Sequence, residues 1–403
     1  MNVRQSAAAL AATAVLCMAA APAATADTQP PANLPSGLYG KTDPKFDGVF
    51  RQSYALLAQD TVGEKPAAKA VDWLTGQACD NGAYAAFRED PSKACDAKTV
   101  VDSNSTASAI QALAALGGHG EDVKKSVAWL KSVQNQDGGW GYSPGLPSDA
   151  NSTSLVIGAL KAAGENPAEA KSQKDKAPAD ALAALSMDCE SGKGAFGLAD
   201  MKTGKLAPNA DATAAGVLGG LEQGLVAKAA DKTEPVKCAK AADAKAAALV
   251  GAGYLSDVLA KDGFLKSSMP GAEDQPDYGN TADSVVALSA AGLTDQAKKP
   301  LEYLEKNGAA WAEQSGSPAA YSQLIFAAHA AGADPKDFGG TDLVAALNAM
   351  GPAPQKAGSA DAAKDDKKDD EGSSMSVWWI IGVFFIASVG IGFLISGRKK
   401  NQL

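Results

Sequence analysis

The sequence predicts an all-α fold: an α6/α6 toroid, a double-layer helical barrel of six helical hairpins, followed by a C-terminal single transmembrane helix. Three observations carry this reading. A phrase made of a helix end, a glycine turn with an aromatic and a capped helix start runs from Trp129 through Gly138-Gly139-Trp140-Gly141-Tyr142 to Asp149-Ala150-Asn151-Ser152-Thr153, and weaker copies recur over residues 45–350. The helix after each start is apolar nearly all round, whereas the one after that is flanked by lysines and acids. No alternating apolar and polar run convincing enough for a strand lies between them.

In chain order, residues 1–26 read as a secretory signal: Arg4, an apolar run from Ala7 to Ala21 and the small-residue site Ala24-Thr25-Ala26, with cleavage before Asp27. Cys17 lies inside that apolar run and leaves with it. Residues 27–44, rich in Pro, Ala and Gly, form an extended lead-in. Six helix starts follow, at Asp47…Arg51, Asp102…Thr106, Asp149…Thr153, Asn209…Thr213, Asp277…Thr281 and Ser317…Tyr321, each pair four residues apart. The apolar helices they open are centred near Leu56, Ile110, Ile157, Val217, Val286 and Ile325. The second helices are centred near Trp73, Trp129, Leu182, residues 249–259, Tyr303 and residues 343–347. First helices without a polar face are buried only if they close into a ring with the second helices outside. The insertions at 165–177 and 227–241, rich in Lys, Ala and polar residues, are expected to be exposed.

Residues 351–376 open with Gly351-Pro352-Ala353-Pro354 and continue in a Lys/Asp/Ser run with too little apolar content to fold, a disordered stalk. Residues 377–396 contain about nineteen almost uninterrupted apolar positions, long enough to span a membrane. Trp378 and Trp379 mark the outer edge, and Arg398, Lys399 and Lys400 in the 397–403 tail place that tail in the cytoplasm. The expectation is a single-pass protein of the cell membrane whose large domain is extracellular. Without Cys17 four cysteines remain, an even number suited to an oxidising compartment. Four cysteines allow three connectivities, and sequence proximity favours Cys79 with Cys95 and Cys189 with Cys238. With only His119 and His329 as histidines and no C-x-x-C spacing, no metal is expected. A net charge of −9 argues against phosphate neutralisation, so no nucleic-acid partner is expected.

Gln134, Gly138, Gly139 and Trp140 resemble the repeat of the prenyltransferase and squalene-cyclase family, with further copies at Gln77…Gly82-Ala83-Tyr84, Gly194-Ala195-Phe196 and Asp262-Gly263-Phe264. The resemblance covers residues 46–350 and implies an α/α toroid. Class II cyclases of that family carry an Asp-x-Asp-Asp-Thr-Ala phrase whose middle Asp protonates an alkene. Here Asp102-Ser103-Asn104-Ser105-Thr106-Ala107 and Asp149-Ala150-Asn151-Ser152-Thr153-Ser154 put Asn in the acid position, and Asp277-Tyr278-Gly279-Asn280-Thr281-Ala282 puts Gly there. Asn carries no ionisable proton and cannot be the acid. Asp211, in Asn209-Ala210-Asp211-Ala212-Thr213-Ala214, is the one candidate for a catalytic residue. The branch of the resemblance that binds without chemistry includes cobalamin carriers, which implies cobalamin as a possible ligand; no cofactor is otherwise expected.

Capping inner-helix amides gives Asp102, Asn104, Asp149, Asn151, Asp211 and Asn280 a structural role. The same residues, with Tyr278 and Tyr321, open onto the mouth on which six helix N-termini converge, and Trp140 and Tyr142 sit in a Gly/Pro-rich loop beside it. These ten positions are the expected ligand contacts. Phosphate-binding glycine loops, nucleophile elbows and H-E-x-x-H helices are missing from the sequence. The chain therefore reads as a surface toroid that captures a small-molecule ligand, corrinoid-like or apolar, for a membrane transporter. A cyclase acting on an isoprenoid and a structural or protein-interaction module are the alternatives.

Overall fold

The computed structural model describes residues 34–200, 203–267 and 274–355. The fold is mostly helical. Among the described residues twelve α-helices follow one another in six pairs: α1 (Gly48–Thr61) and α2 (Ala68–Gly76), α3 (Ser103–Leu116) and α4 (Gly120–Ser132), α5 (Ala150–Ala162) and α6 (Pro178–Leu185), α7 (Ala210–Gly220) and α8 (Ala244–Asp262), α9 (Tyr278–Ala290) and α10 (Thr294–Ser315), α11 (Pro318–Ala331) and α12 (Leu343–Asn348). Each odd-numbered helix packs on the next, and α11 packs back on α1, a closed circuit. Each even-numbered helix lies against the odd-numbered helix before it.

The burial pattern follows from the side chains. Ala107, Ala109, Ile110, Ala112 and Leu113 bury α3 on several faces, whereas α4 buries one stripe, Val123, Ser126, Val127, Trp129 and Leu130, and leaves its charged face in water. Small residues let the inner helices approach one another closely. Gly158 of α5 faces the backbone of Gly224, where an added methyl carbon would stand 2.8 Å from the Gly224 Cα.

Three two-stranded antiparallel ribbons interrupt the all-helical expectation: β1 (Tyr84–Ala85) with β2 (Val101–Asp102), β3 (Gly197–Ala199) with β4 (Leu206–Pro208), and β5 (Leu265–Lys266) with β6 (Pro276–Asp277). Strands of two or three residues are too short to show a period of two, which is why the sequence does not announce them. Each ribbon delivers the chain to the cap of an inner helix, α3, α7 or α9.

The ring is closed by segments expected to lie outside it. Tyr39, fully buried, donates its hydroxyl to the Pro352 carbonyl at 2.5 Å, Gly40 N–H donates to Met350 at 3.0 Å and Gln355 N–H donates to Lys65 at 2.8 Å. The lead-in and residues 351–355 therefore belong to the folded unit, since Tyr39 gives the chain an aromatic to bury between the first and last hairpins. The 165–177 insertion is also less exposed than its composition suggests. Pro167, Ala170 and Ala177 are buried, and Gln134 Nε2 donates to the Ala170 carbonyl at 2.9 Å. In the 227–241 insertion Ala227 is buried while most of the lysine-rich remainder is exposed.

Disulfides join Cys79 to Cys95 and Cys189 to Cys238. They point to an extracellular or secreted domain. The expected leader at 1–26, the stalk beyond residue 355, the membrane helix at 377–396 and the tail at 397–403 lie outside the described residues. Among the described residues no helix is long and apolar enough to cross a membrane.

Candidate functional site

Four of the six inner-helix starts use one construction, those of α3, α5, α7 and α9. The N-cap side chain of Asp102, Asp149, Asn209 or Asp277 accepts the N–H three residues on, at 2.6, 2.7, 2.7 and 3.1 Å. One residue further, the threonine hydroxyl accepts the backbone N–H of the preceding turn: Tyr84 to Thr106 at 3.0 Å, Trp140 to Thr153 at 3.0 Å, Phe196 to Thr213 at 3.0 Å and Leu265 to Thr281 at 2.9 Å. In three of the four the turn aromatic is thereby pinned to the next helix, and Leu265 takes that place in the fourth. Trp140 completes its seam by donating its indole N–H to the Leu130 carbonyl at 2.8 Å. Gly138 makes this turn possible, since its φ is 94° and a side chain there would collide with the Ala177 carbonyl.

The opposite face of the same helical turns opens on a cavity of about 280 Å³ inside the circuit of inner helices. Asn104, Asn151, Asp211 and Asn280 line it, and Asp283, Gln323, Tyr54 and Gln111 join them from farther along the inner helices. Phe50, Leu155, Leu218 and Val286 supply apolar wall. Gln223, Gly224 and Leu225, in the turn after α7, also line the cavity, and Leu225 N–H is held by Gln111 Oε1 at 2.9 Å. No lysine, arginine or histidine is among the lining residues.

The electrostatics follow from that composition. Asp211 accepts from Asn151 Nδ2 at 2.7 Å, yet burial outweighs this bond and raises its pKa, helped by the charges of Asp277 and Asp149. Asp283 keeps some surface on the cavity but is enclosed by protein, and loss of hydration together with the Asp211 charge pushes its pKa up to about 7, against a lowering hydrogen bond from Gln323 Nε2 at 3.0 Å. Burial and the same two carboxylates raise the Tyr54 hydroxyl. Several polar atoms remain without partners: Asn104 Oδ1, Asn151 Oδ1 and Ser154 Oγ are buried and make no hydrogen bond. Ser154, 4% exposed, lines the same cavity.

Of the ten expected contacts, the cavity therefore brings together Asn104, Asn151, Asp211 and Asn280. The other six stand elsewhere. Asp102 and Asp149 are N-caps whose carboxylates are occupied by Ser105 and Ser152, and Trp140 is seam core. Tyr142, 46% exposed, lies with Asp102 on a separate surface groove beside Phe46 and Val100. Tyr278 stacks between Tyr303 and Trp311, with ring centroids 5.8 and 5.5 Å apart. Tyr321 is buried on α11 at the position the threonines hold elsewhere, on the seam rather than the cavity face.

Asp283, Gln323 and Tyr54 escape a reading centred on the helix-start phrase. The signal for Asp283 is an acid two residues past Thr281, in register with Leu155, Ala215 and Gln323 after their own anchors, inside an otherwise small and apolar helix. Among the described residues no group of three or more His, Cys, Asp or Glu side chains is arranged to hold a metal ion.

No family model matches the chain, and no curated protein matches it. Among solved structures, the chain is similar to a protein from Actinoplanes, with a TM-score of 0.43 and 16% identity over 70% of this chain and 77% of that one. It is also similar to a sugar epimerase from a ruminal bacterium, with a TM-score of 0.44 and 12% identity over 68% of this chain and 81% of that one.

Proposed function

We propose that the closed circuit is an α6/α6 toroid of the prenyltransferase and squalene-cyclase type, and that it works as a ligand-binding domain held at the outer face of the cell membrane by the helix at 377–396. The ligand sits in the cavity inside the ring and is handed to a membrane transporter, the tether keeping the domain near its partner at high effective concentration. The observation that carries this reading is the cavity wall itself: Asn104, Asn151, Asp211 and Asn280 from four inner-helix starts line one space together with Asp283, Gln323 and the apolar Phe50, Leu155 and Val286. A volume of about 280 Å³ favours a small ligand. A corrinoid, as the family resemblance implies, would have to rest largely above the mouth.

A second reading has one observation in its favour. A carboxylic acid with its pKa near 7, Asp283, beside Asp211 and the rings of Phe50 and Tyr54, is a proton donor in a partly apolar cavity, the equipment of a cyclase-like enzyme. The test is thermal melting of the full chain against a panel of small amines, polyols, corrinoids and isoprenoids, repeated with Ala215→Trp, which fills the cavity from α7. Binding in the cavity predicts melting shifts that Ala215→Trp abolishes. Shifts that survive this substitution would sink the proposal, and turnover of an isoprenoid that Asp283→Asn or Asp211→Asn removes would favour the enzyme.

A further inference from the structure

We infer that the ligand is a small organic cation, an amine whose ammonium group sits between Asp211 and Asp283 and whose carbon chain lies along Phe50, Tyr54 and Val286. This rests on the cavity being the binding site and adds the chemical class of what fills it.

Charge comes first. Two carboxylates share one enclosed space, and none of the residues lining it is a cation. Each receives a single side-chain amide bond, Asp211 from Asn151 and Asp283 from Gln323, which leaves most of their acceptor capacity open. Elsewhere the buried Asp102 carboxylate is met by the N–H and hydroxyl of Ser105, and the buried cation is met by a carboxylate. Arg51, fully buried, is paired with Asp47 at 3.2 Å and donates to Thr42. The two cavity acids have one amide donor each, and a positive group between them would complete the set.

Hydrogen-bond polarity agrees. Asp211 and Asp283 each accept one side-chain bond, and no side-chain ammonium or guanidinium lines the cavity, so acceptors are in surplus there. An ammonium group is three donors and no acceptor. It supplies what the two carboxylates want, and charge-assisted bonds are the stronger kind. The rest of the wall argues for an organic ion over a bare metal. Phe50 and Tyr54 are packed with ring centroids 4.2 Å apart, and Leu155, Leu218, Leu225 and Val286 complete an apolar side that a hydrated metal ion would leave uncovered. Hydrocarbon fits there, and an aromatic face adds attraction for a cation.

The experiment is calorimetric titration of the full chain in detergent with 1,4-diaminobutane, butylamine and agmatine, each set against an uncharged control, 1,4-butanediol, and against calcium chloride. The expected result is one-to-one binding of at least one amine, weakened at least tenfold by Asp211→Asn and by Asp283→Asn, with no binding of butanediol or calcium. Circular-dichroism melting verifies that both variants fold. Failure of all three amines overturns the inference, as does binding of calcium that the two Asn substitutions remove. Uptake of a neutral polyol that Ala215→Trp blocks but both Asn variants retain also overturns it, while leaving the cavity as the binding site. If no compound of any class responds to Ala215→Trp, the cavity reading itself fails.

Discussion

Two faces of the same helical turn do different work in this molecule. One carries Thr106, Thr153, Thr213 and Thr281, each accepting the backbone N–H of the preceding turn within 3.0 Å. The other carries Asn104, Asn151 and Asp211, two residues earlier and so about 200° round the helix, with Asn280 beside its threonine. The threonine face repeats without change through four units, while the cavity face holds carboxamides on α3 and α5, a carboxylate on α7 and both Asn280 and Asp283 on α9. A position that closes the ring admits one solution, whereas a position facing an open cavity answers only to what the cavity holds. The first and last units sharpen the point. Arg51 and Tyr321 replace the threonine there, and both are still buried on the seam.

Removing a seam aromatic should have the largest effect. Trp140 is 1% exposed, packs the turn onto α4 and donates its indole N–H to Leu130, so Trp140→Ala should lower unfolding free energy by about 3–5 kcal/mol. Urea unfolding at unchanged slope measures it. A loss below about 1 kcal/mol would mean that the seam is not where the ring is held.

The cavity face should announce itself through pH. Asp283 has its folded pKa raised to about 7 from 3.8, so between these values the folded state holds more protons than the unfolded one. Its contribution is therefore greatest below about pH 4 and is lost as pH rises through about 7, a drop on the order of 2–4 kcal/mol. Other acids titrate in the same window, and the difference between the wild type and Asp283→Asn isolates this one. The expected curve for Asp283→Asn is flatter from pH 4 to 8, with higher stability than the wild type at pH 8; parallel curves would remove the unpaired charge from the cavity.

Thr153→Val tests the seam bond alone. The substitution keeps the shape and deletes the acceptor for the Trp140 N–H, leaving a buried donor unmet at a cost of about 1–3 kcal/mol. Asn151→Ala, on the same turn, should cost less. Equal losses would erase the distinction between the two faces.

The fold was legible because its signals are redundant. Six helix starts, four of them capped by a side chain, six apolar helices and the glycine turn at Gly138 repeat the same message, and the ribbons were missed only because two or three residues carry no period. The neighbouring-cysteine pairing was readable for a related reason, since each bridge closes a local loop. The site was half legible. Asn104, Asn151, Asp211 and Asn280 belong to the helix-start phrase, but which turn residues face inward depends on how each helix is rotated in the ring. That rotation carries the cavity face on to Asp283 and Gln323 and turns Tyr321 and Tyr278 away from it. The closure at Tyr39 and the lining contributed by Gln223, Gly224 and Leu225 are contacts between distant stretches, with no local pattern to reveal them.

The smallest stability change should come where a ligand contact is removed. Asn104 lines the cavity, and its Oδ1 is buried without a partner, so the folded chain already bears the cost of an unmet acceptor. Asn104→Ala deletes that acceptor and should move unfolding free energy by no more than about 0.5 kcal/mol in either direction. Binding of a cavity ligand should nevertheless weaken several-fold, because the side chain is part of the cavity wall. Calorimetry of the best-binding amine alongside urea unfolding reads both quantities on one preparation. A stability loss of 2 kcal/mol with unchanged affinity would show that this residue serves the ring and not the space inside it, and the two faces would then be one.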